Sequence, residues 1–185
     1  MNRKKFIFCL EGVADTSVEQ QSAVLKNLEK IAFEQRLTSI YMACDSIEGL
    51  EESLTTLLYD DHNFKAYEII YLVMPGEANS ICLNDYLYTM EEIAELFEGK
   101  MKGKIIHFAN TKIVDLDTEE AQYFLDITGA KALSGYGTLS TSSSHLLDKT
   151  FFELCQKEDD VTAVVEALFE KQPTLCQVLD FRLYY

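Results

Sequence analysis

His107 and Thr111 stand four residues apart, and a threonine hydroxyl becomes a nucleophile only beside a base. Side chains of a strand alternate faces, however. A His107 inside an apolar strand therefore points into a helix layer, not over the strand end, and a satisfied core or near-surface histidine is expected. Ser142-Ser143-Ser144-His145 with Asp148 has the residue types of a serine hydrolase. Consecutive residues of one helix rarely aim at a common reacting atom, and serines before a helix serve as N-caps. Asp60-Asp61-His62-Asn63 places several polar ligands in one connection, but the spacing matches no metal motif, and a solvated loop is expected. Cys44 is flanked by Asp45 and lies near Glu48, whereas a reactive thiol needs a positive neighbour. Cys9 and Cys44 accordingly read as buried and inert.

Four carboxylates, Glu11, Asp45, Glu77 and Asp115, fall near strand ends, where a cluster would hold Mg²⁺ or act as acid and base. With 31 acidic residues in the chain, chance placement is the plainer account. Gly135-Tyr136-Gly137 is half of a dinucleotide fingerprint and lacks the third glycine. The hydroxyl-rich stretch 138–144 precedes a helix and would offer backbone N–H groups to an anion. No phosphate-loop lysine pattern occurs, and no cofactor is implied.

These residues depend on alternating strands and helices. Residues 4–10 form a continuous apolar run, as a buried parallel strand does. Ser17 and Gln20 have capping-box spacing, and Val24, Leu25, Leu28, Ile31 and Ala32 follow at helical period, predicting a helix over 17–36. A second strand spans 38–44. Asp45-Ser46 caps the next helix, striped by Ile47, Leu50, Leu54, Leu57 and Leu58. The third strand, 67–74, stops at Pro75-Gly76. Residues 80–89 read as a small hairpin turning at Asn84-Asp85, and Thr89 with Glu92 caps a helix ending at Gly99. A strand over 104–109, a helix capped by Asp117 with Glu120 and ending at Gly129, a strand over 131–136 and a helix to about Cys155 follow. A last long helix over about 159–171 closes at Pro173, and Phe181, Leu183 and Tyr185 alternate as in an edge strand. This alternation predicts a mostly parallel sheet covered on both faces, with ligands beyond the carboxyl ends of the strands.

The bulk properties agree. A chain of 185 residues with 48% hydrophobic residues suits one domain, and no linker or repeat interrupts it. The formal net charge of −15 repels nucleic-acid backbones and anionic membranes, and leaves solubility or a basic partner as its use. The N-terminal Arg3-Lys4-Lys5 starts like a signal peptide, but Glu11 interrupts the apolar run too early. Five scattered cysteines fit reduced thiols in a cytoplasm. Tyr136 and the Tyr184-Tyr185 tail are candidate exposed aromatics for a partner, the alternative being a tail packed on the sheet edge.

From residue 67 onward the order of pieces, YLVMPGEANSICLNDYLYTMEEI, then IIHFANT, then TGAKALSGYGTLSTSSSHLLDKTFFEL, resembles the caspase-like clan, especially CHAT-type domains. In that clan a third strand ends in His-Gly before a small hairpin and a helix, and a fourth strand ends at the nucleophilic cysteine. The resemblance covers about two thirds of the chain as a pattern of elements. It implies a three-layer α/β/α sandwich with a mostly parallel, caspase-like sheet. The clan's histidine would fall at Pro75, or at Met74 with a slip of one, and its cysteine at Thr111, or at Asn110. Proline can neither attack nor move a proton, so the resemblance implies a member without its dyad.

The expectation is a non-catalytic, pseudoprotease-like binding or regulatory module. Its strand-end cleft, drawn from Glu11, Asp45, Pro75, Gly76, Glu77, Asn110, Thr111 and Tyr136, would recognise a peptide or protein. The alternative is a hydrolase or nucleotide- or phosphate-binding enzyme using strand-edge carboxylates, and a third possibility is a structural oligomer subunit.

Overall fold

A computed structural model describes residues 4–19, 21–57, 64–109, 114–138 and 144–185. Its centre is a six-stranded sheet of β1 (Phe6–Gly12), β2 (Ser39–Cys44), β3 (Tyr67–Val73), β7 (Ile105–Ala109), β8 (Ala132–Tyr136) and β9 (Phe181–Tyr184), in the order β2-β1-β3-β7-β8-β9. All neighbours are parallel except β8 and β9. A second sheet, order β4-β5-β6, is antiparallel and consists of β4 (Gly76–Glu77), β5 (Ser80–Leu83) and β6 (Tyr86–Thr89).

Helices cover both faces of the main sheet, and the two-residue period of the strands decides which residues each layer receives. Phe8, Leu10, Ile70, Leu72, Ile106 and Phe108 pack under α2 (Ile47–Thr55), α3 (Met90–Leu96) and α4 (Thr118–Thr128). Their neighbours Ile7, Cys9, Ile69, Tyr71 and Ile105 pack under α1 (Ala23–Gln35), α5 (Ser144–Lys157), α6 (Val161–Lys171) and α7 (Pro173–Val178). The fold is thus a three-layer α/β/α arrangement with a mostly parallel sheet, as the strand–helix alternation predicts. Each fully buried Phe or Leu contributes about 1.5–3 kcal/mol through its burial.

The expected capping boxes at Thr89/Glu92 and Asp117/Glu120 both form. Asn84 and Asp85 both take positive φ, at 50° and 62°, the geometry of a two-residue hairpin turn that follows strand twist. Three expectations need correction. The first helix starts at Ala23, not at Ser17, because Asp15 accepts hydrogen bonds from the backbone N–H and hydroxyl of Ser17, and Ser22 is the N-cap. Such local side-chain bonds compete with the helix ladder. Gln20 lies outside the described residues. Pro173 does not only close α6: its preset φ and missing N–H suit a first helical position, and it opens α7. The hairpin carries a third strand, β4, because Gly76 lets the chain double back. A Cβ there would lie 2.1 Å from the Ser80 carbonyl oxygen. Among the described residues no helix is long and apolar enough to cross a membrane.

Candidate functional site

Two polar assemblies stand out, one sealed and one open. The sealed one follows from register. Tyr71, His107 and Ser134 are direct neighbours on β3, β7 and β8, so their side chains form one row on one face of the sheet. Helix α5 lowers Asp148 onto this row from among its buried positions Ser144, Leu147, Phe151 and Phe152. His107 Nε2 lies 2.6 Å from Asp148 Oδ1, and Nδ1 lies 2.8 Å from Ser134 Oγ. A carboxylate accepts only, so Nε2 carries the proton and Nδ1 can accept from the Ser134 hydroxyl. The Tyr71 hydroxyl donates to Asp148 Oδ2 at 2.7 Å, and the Tyr136 hydroxyl donates to Oδ1. Burial first, and the Asp148 charge next, push both phenols well above their ordinary range and keep them as donors. The Cys9 thiol beside them is pushed up by burial and by Glu11 and Asp148.

Ser134, His107 and Asp148 match a serine-hydrolase set in residue type, with the two ring nitrogens exchanged relative to the usual arrangement. Yet all three are 0% exposed. Aromatic rings close the space: Phe151 and Phe152 pack 5.2 and 5.5 Å from the His107 ring. Among the described residues the assembly is closed to solvent, and its polar atoms are hydrogen-bonded to one another. His107 does point into the helix layer. Its acid partner is Asp148, whereas His145, the sequence neighbour of the serines, is exposed beside Lys30 and Lys149. Tyr136 is 1% exposed and faces this core, which corrects its expected place in the cleft.

The open assembly is a groove of about 730 Å³ between the segments that follow β3 and β7, a size within the usual range for ligand sites. Ala78, Leu87, Met90 and Leu116 supply apolar surface, Glu77, Glu91, Glu119 and Glu120 supply carboxylates, and Tyr123 stands at its side. No lysine or arginine is among the described lining residues. The walls are fixed by hydrogen bonds. Asn79, in the left-handed region at φ 51°, donates from Nδ2 to the Asp115 carbonyl and accepts from its N–H, both at 2.8 Å. Arg182 holds the Asp115 carboxylate, and the Tyr184 hydroxyl accepts from the Leu116 N–H at 3.0 Å. The terminal strand therefore braces the groove wall, and the tail is packed on the sheet edge up to Tyr184, while Tyr185 is exposed.

The expected strand-end residues do not converge. Glu11 accepts from Ser22 and Tyr41 and raises the Tyr41 hydroxyl, already lifted by partial burial, to about 12. Asp45 accepts from the Thr16 N–H and hydroxyl, bonds that lower its pKa. Pro75 and Gly76 lead the small sheet, and the Pro75 carbonyl accepts from Cys82 N–H at 2.6 Å. Of the set, Glu77 alone among the described residues lines the groove. Asn110, Thr111, His62 with its neighbouring acids, and the serines before Ser144 lie outside the described residues. Among the described residues no His, Cys, Asp and Glu are grouped to hold a metal. Gly135 and Gly137 serve packing: a Cβ on them would meet Val114 at 2.7 Å and Asp180 at 2.0 Å. Cys44 is buried and its thiol is pushed up to about 12, first by burial and then by Asp45, in line with an inert role.

The groove leaves no local signature in the sequence, because its residues come from three separated segments. One signal was present for the sealed row: Asp148 lies on the apolar stripe of its helix, between Leu147 and Phe151, where a carboxylate needs buried donors.

Fold and site together define a three-layer α/β/α protein with a saturated polar core and an acidic, apolar-floored groove beside its strand ends. A family of unknown function (DUF6642) matches residues 4–185, and the chain belongs to that family. No curated protein matches the sequence significantly.

Proposed function

We propose that this protein is a non-catalytic binding module whose groove holds a segment of a peptide or protein. The observation that carries the reading is the contrast in access. The nucleophile–base pair Ser134–His107 is sealed, whereas the braced groove is open and offers apolar surface with hydrogen-bonding groups. A preorganised wall lowers the cost of ordering on binding. The resemblance to the caspase-like clan belongs to the same proposal. In its support, β3 is followed by the small sheet, α3, β7, α4 and β8, the order that the resemblance requires. Pro75 at the histidine's place offers no titratable group. A cytoplasmic location fits as well, since all five cysteines are free and four are buried.

The test is an amide chemical-shift titration with a pool of mixed-sequence octapeptides, run beside a hydrolysis assay. Shifts at Asn79, Leu87 and Leu116 without cleavage products are expected. Cleavage that disappears in Thr111→Ala would overturn the reading. So would shifts confined to titrations with Mg²⁺, nucleotides or sugar phosphates.

A further inference from the structure

The lining of the groove sorts by chemistry. Leu87, Met90 and Leu116 give an apolar floor, and Glu77, Glu91 and Glu119 give a one-sign rim. The negative field extends beyond the lining. Glu95, Glu91 and Glu98 all act on the Tyr123 hydroxyl, raising its pKa after the effect of desolvation. A second, independent feature is Ser80, which lines the groove at 7% exposure. Its hydroxyl makes no hydrogen bond to any described residue, and its oxygen stays accessible from the groove. Thr89 and Glu120, by contrast, are already committed to their capping boxes.

From these features we infer that the occupant is a basic, extended segment of another protein, seated through an arginine or lysine. The aliphatic stem of such a side chain covers apolar floor while its charged head stays among carboxylates. Arginine suits the site better, because its planar fork pairs two carboxylate oxygens at once and is more weakly hydrated than an ammonium. The Ser80 hydroxyl is then available to a main-chain group of the segment. The inference rests on the binding role proposed above and adds the charge class of the ligand.

Two fluorescein-labelled octapeptides, one alternating Arg and Ala and one alternating Ser and Ala, would be titrated by anisotropy at about 0.15 M salt, where surface charges are screened beyond roughly 8 Å. The Arg peptide should bind at least about tenfold tighter than the Ser peptide, since complementary charge sets partner choice. The double variant Glu91→Gln/Glu119→Gln should weaken the Arg peptide by about tenfold. An equal change of net charge on the exposed Glu51 and Glu52 of α2, as Glu51→Gln/Glu52→Gln, should leave its Kd within about twofold. Circular dichroism melts would show both doubles folded. Ser80→Ala should weaken binding several-fold on its own. Equal weakening by the two doubles would reduce the effect to the general field of the −15 protein and overturn the inference. So would displacement of the Arg peptide by equimolar spermidine, which would make the occupant a small polyamine. Equal groove binding by both peptides would overturn the charge class and leave the peptide-binding role standing. Binding of neither would remove both.

Discussion

Asp148 and the groove glutamates are the same chemistry in opposite settings. Asp148 is fully buried, and its two oxygens accept from His107, Tyr71 and Tyr136. Glu77, Glu91 and Glu119 line an open groove in which no lysine or arginine is described to neutralise them. A buried carboxylate is tolerated only when its acceptors are filled, and once filled it has nothing left for a ligand. An exposed carboxylate costs little in isolation and keeps its capacity. The assembly with the more catalytic residue types is thus the closed and fully bonded one. The plainer one has free bonding capacity.

The most forceful way to break this comparison is to empty the sealed assembly. Asp148→Ala strands three buried donors and should cost about 3–5 kcal/mol, as removal of one partner from a buried charged set does. Asp148→Asn keeps the shape and one acceptor oxygen, and should cost about 1–3 kcal/mol. Urea unfolding measures both. A loss below about 0.5 kcal/mol for Asp148→Ala would mean that the row is not saturated structure, and the contrast with the groove would fall.

A second probe uses pH on the same layer. Cys155 is buried in the α5 layer, and desolvation pushes its thiol from 9.0 up to about 12. A folded-state pKa above the unfolded one gives a contribution that is full below the unfolded value and fades as pH rises through the folded value. Stability should therefore fall between pH 9 and about 12, with this thiol supplying a slope of about 1.4 kcal/mol per pH unit. Cys155→Ala should lose that share of the alkaline slope, whatever it costs in packing. An unchanged slope in chemical unfolding curves across this range would contradict the sealed character of the layer.

How much of this was legible beforehand follows from where each constraint comes from. The strand periods, the two capping boxes and the Asn84-Asp85 turn act within a few residues, so the layers and the small hairpin could be read directly. The start of α1 depends on Asp15 capturing Ser17, and β4 depends on Gly76 meeting the Ser80 carbonyl; neither follows from periodicity. The site was harder. Tyr136 stands at the carboxyl end of a strand, where a cleft residue is expected, but its ring belongs to the face that α5 covers. Glu11 and Asp45 lie at the carboxyl ends of β1 and β2, where each bonds to its own neighbours, Ser22 with Tyr41 and Thr16. Contacts such as Asn79 with Asp115 join segments 36 residues apart and leave no local signature.

The groove's bracing gives a smaller effect than the core. Asn79→Ala removes two hydrogen bonds and puts a Cβ residue without a local bonding side chain into the left-handed region. The stability loss should be about 2 kcal/mol. Its larger consequence should be in binding: peptide affinity should drop in the folded variant, because the turn over 77–80 is no longer pinned to the Asp115 backbone. Melting curves and the anisotropy titration separate the two effects. Full affinity in a destabilised Asn79→Ala would show that the wall needs no preorganisation.

The smallest expected change has the opposite sign and sharpens the comparison most. Glu95 lies in the last turn of α3, where a negative charge opposes the helix dipole, and it acts on Tyr123 together with Glu91 and Glu98. The dipole and the like charge of Glu91, four residues back on the same helix, both oppose a negative charge at this place, so Glu95→Gln should raise stability by a few tenths of a kcal/mol at neutral pH, within the usual surface range of about 0.5. The gain should shrink in high salt, which screens exposed charges, whereas the penalty of Asp148→Asn should not, because its hydrogen bonds are buried. Neutralising one carboxylate would then stabilise the groove side and destabilise the sealed row. Losses of equal sign and size at both positions, insensitive to salt, would mean that the two regions do not differ in the way their geometry implies.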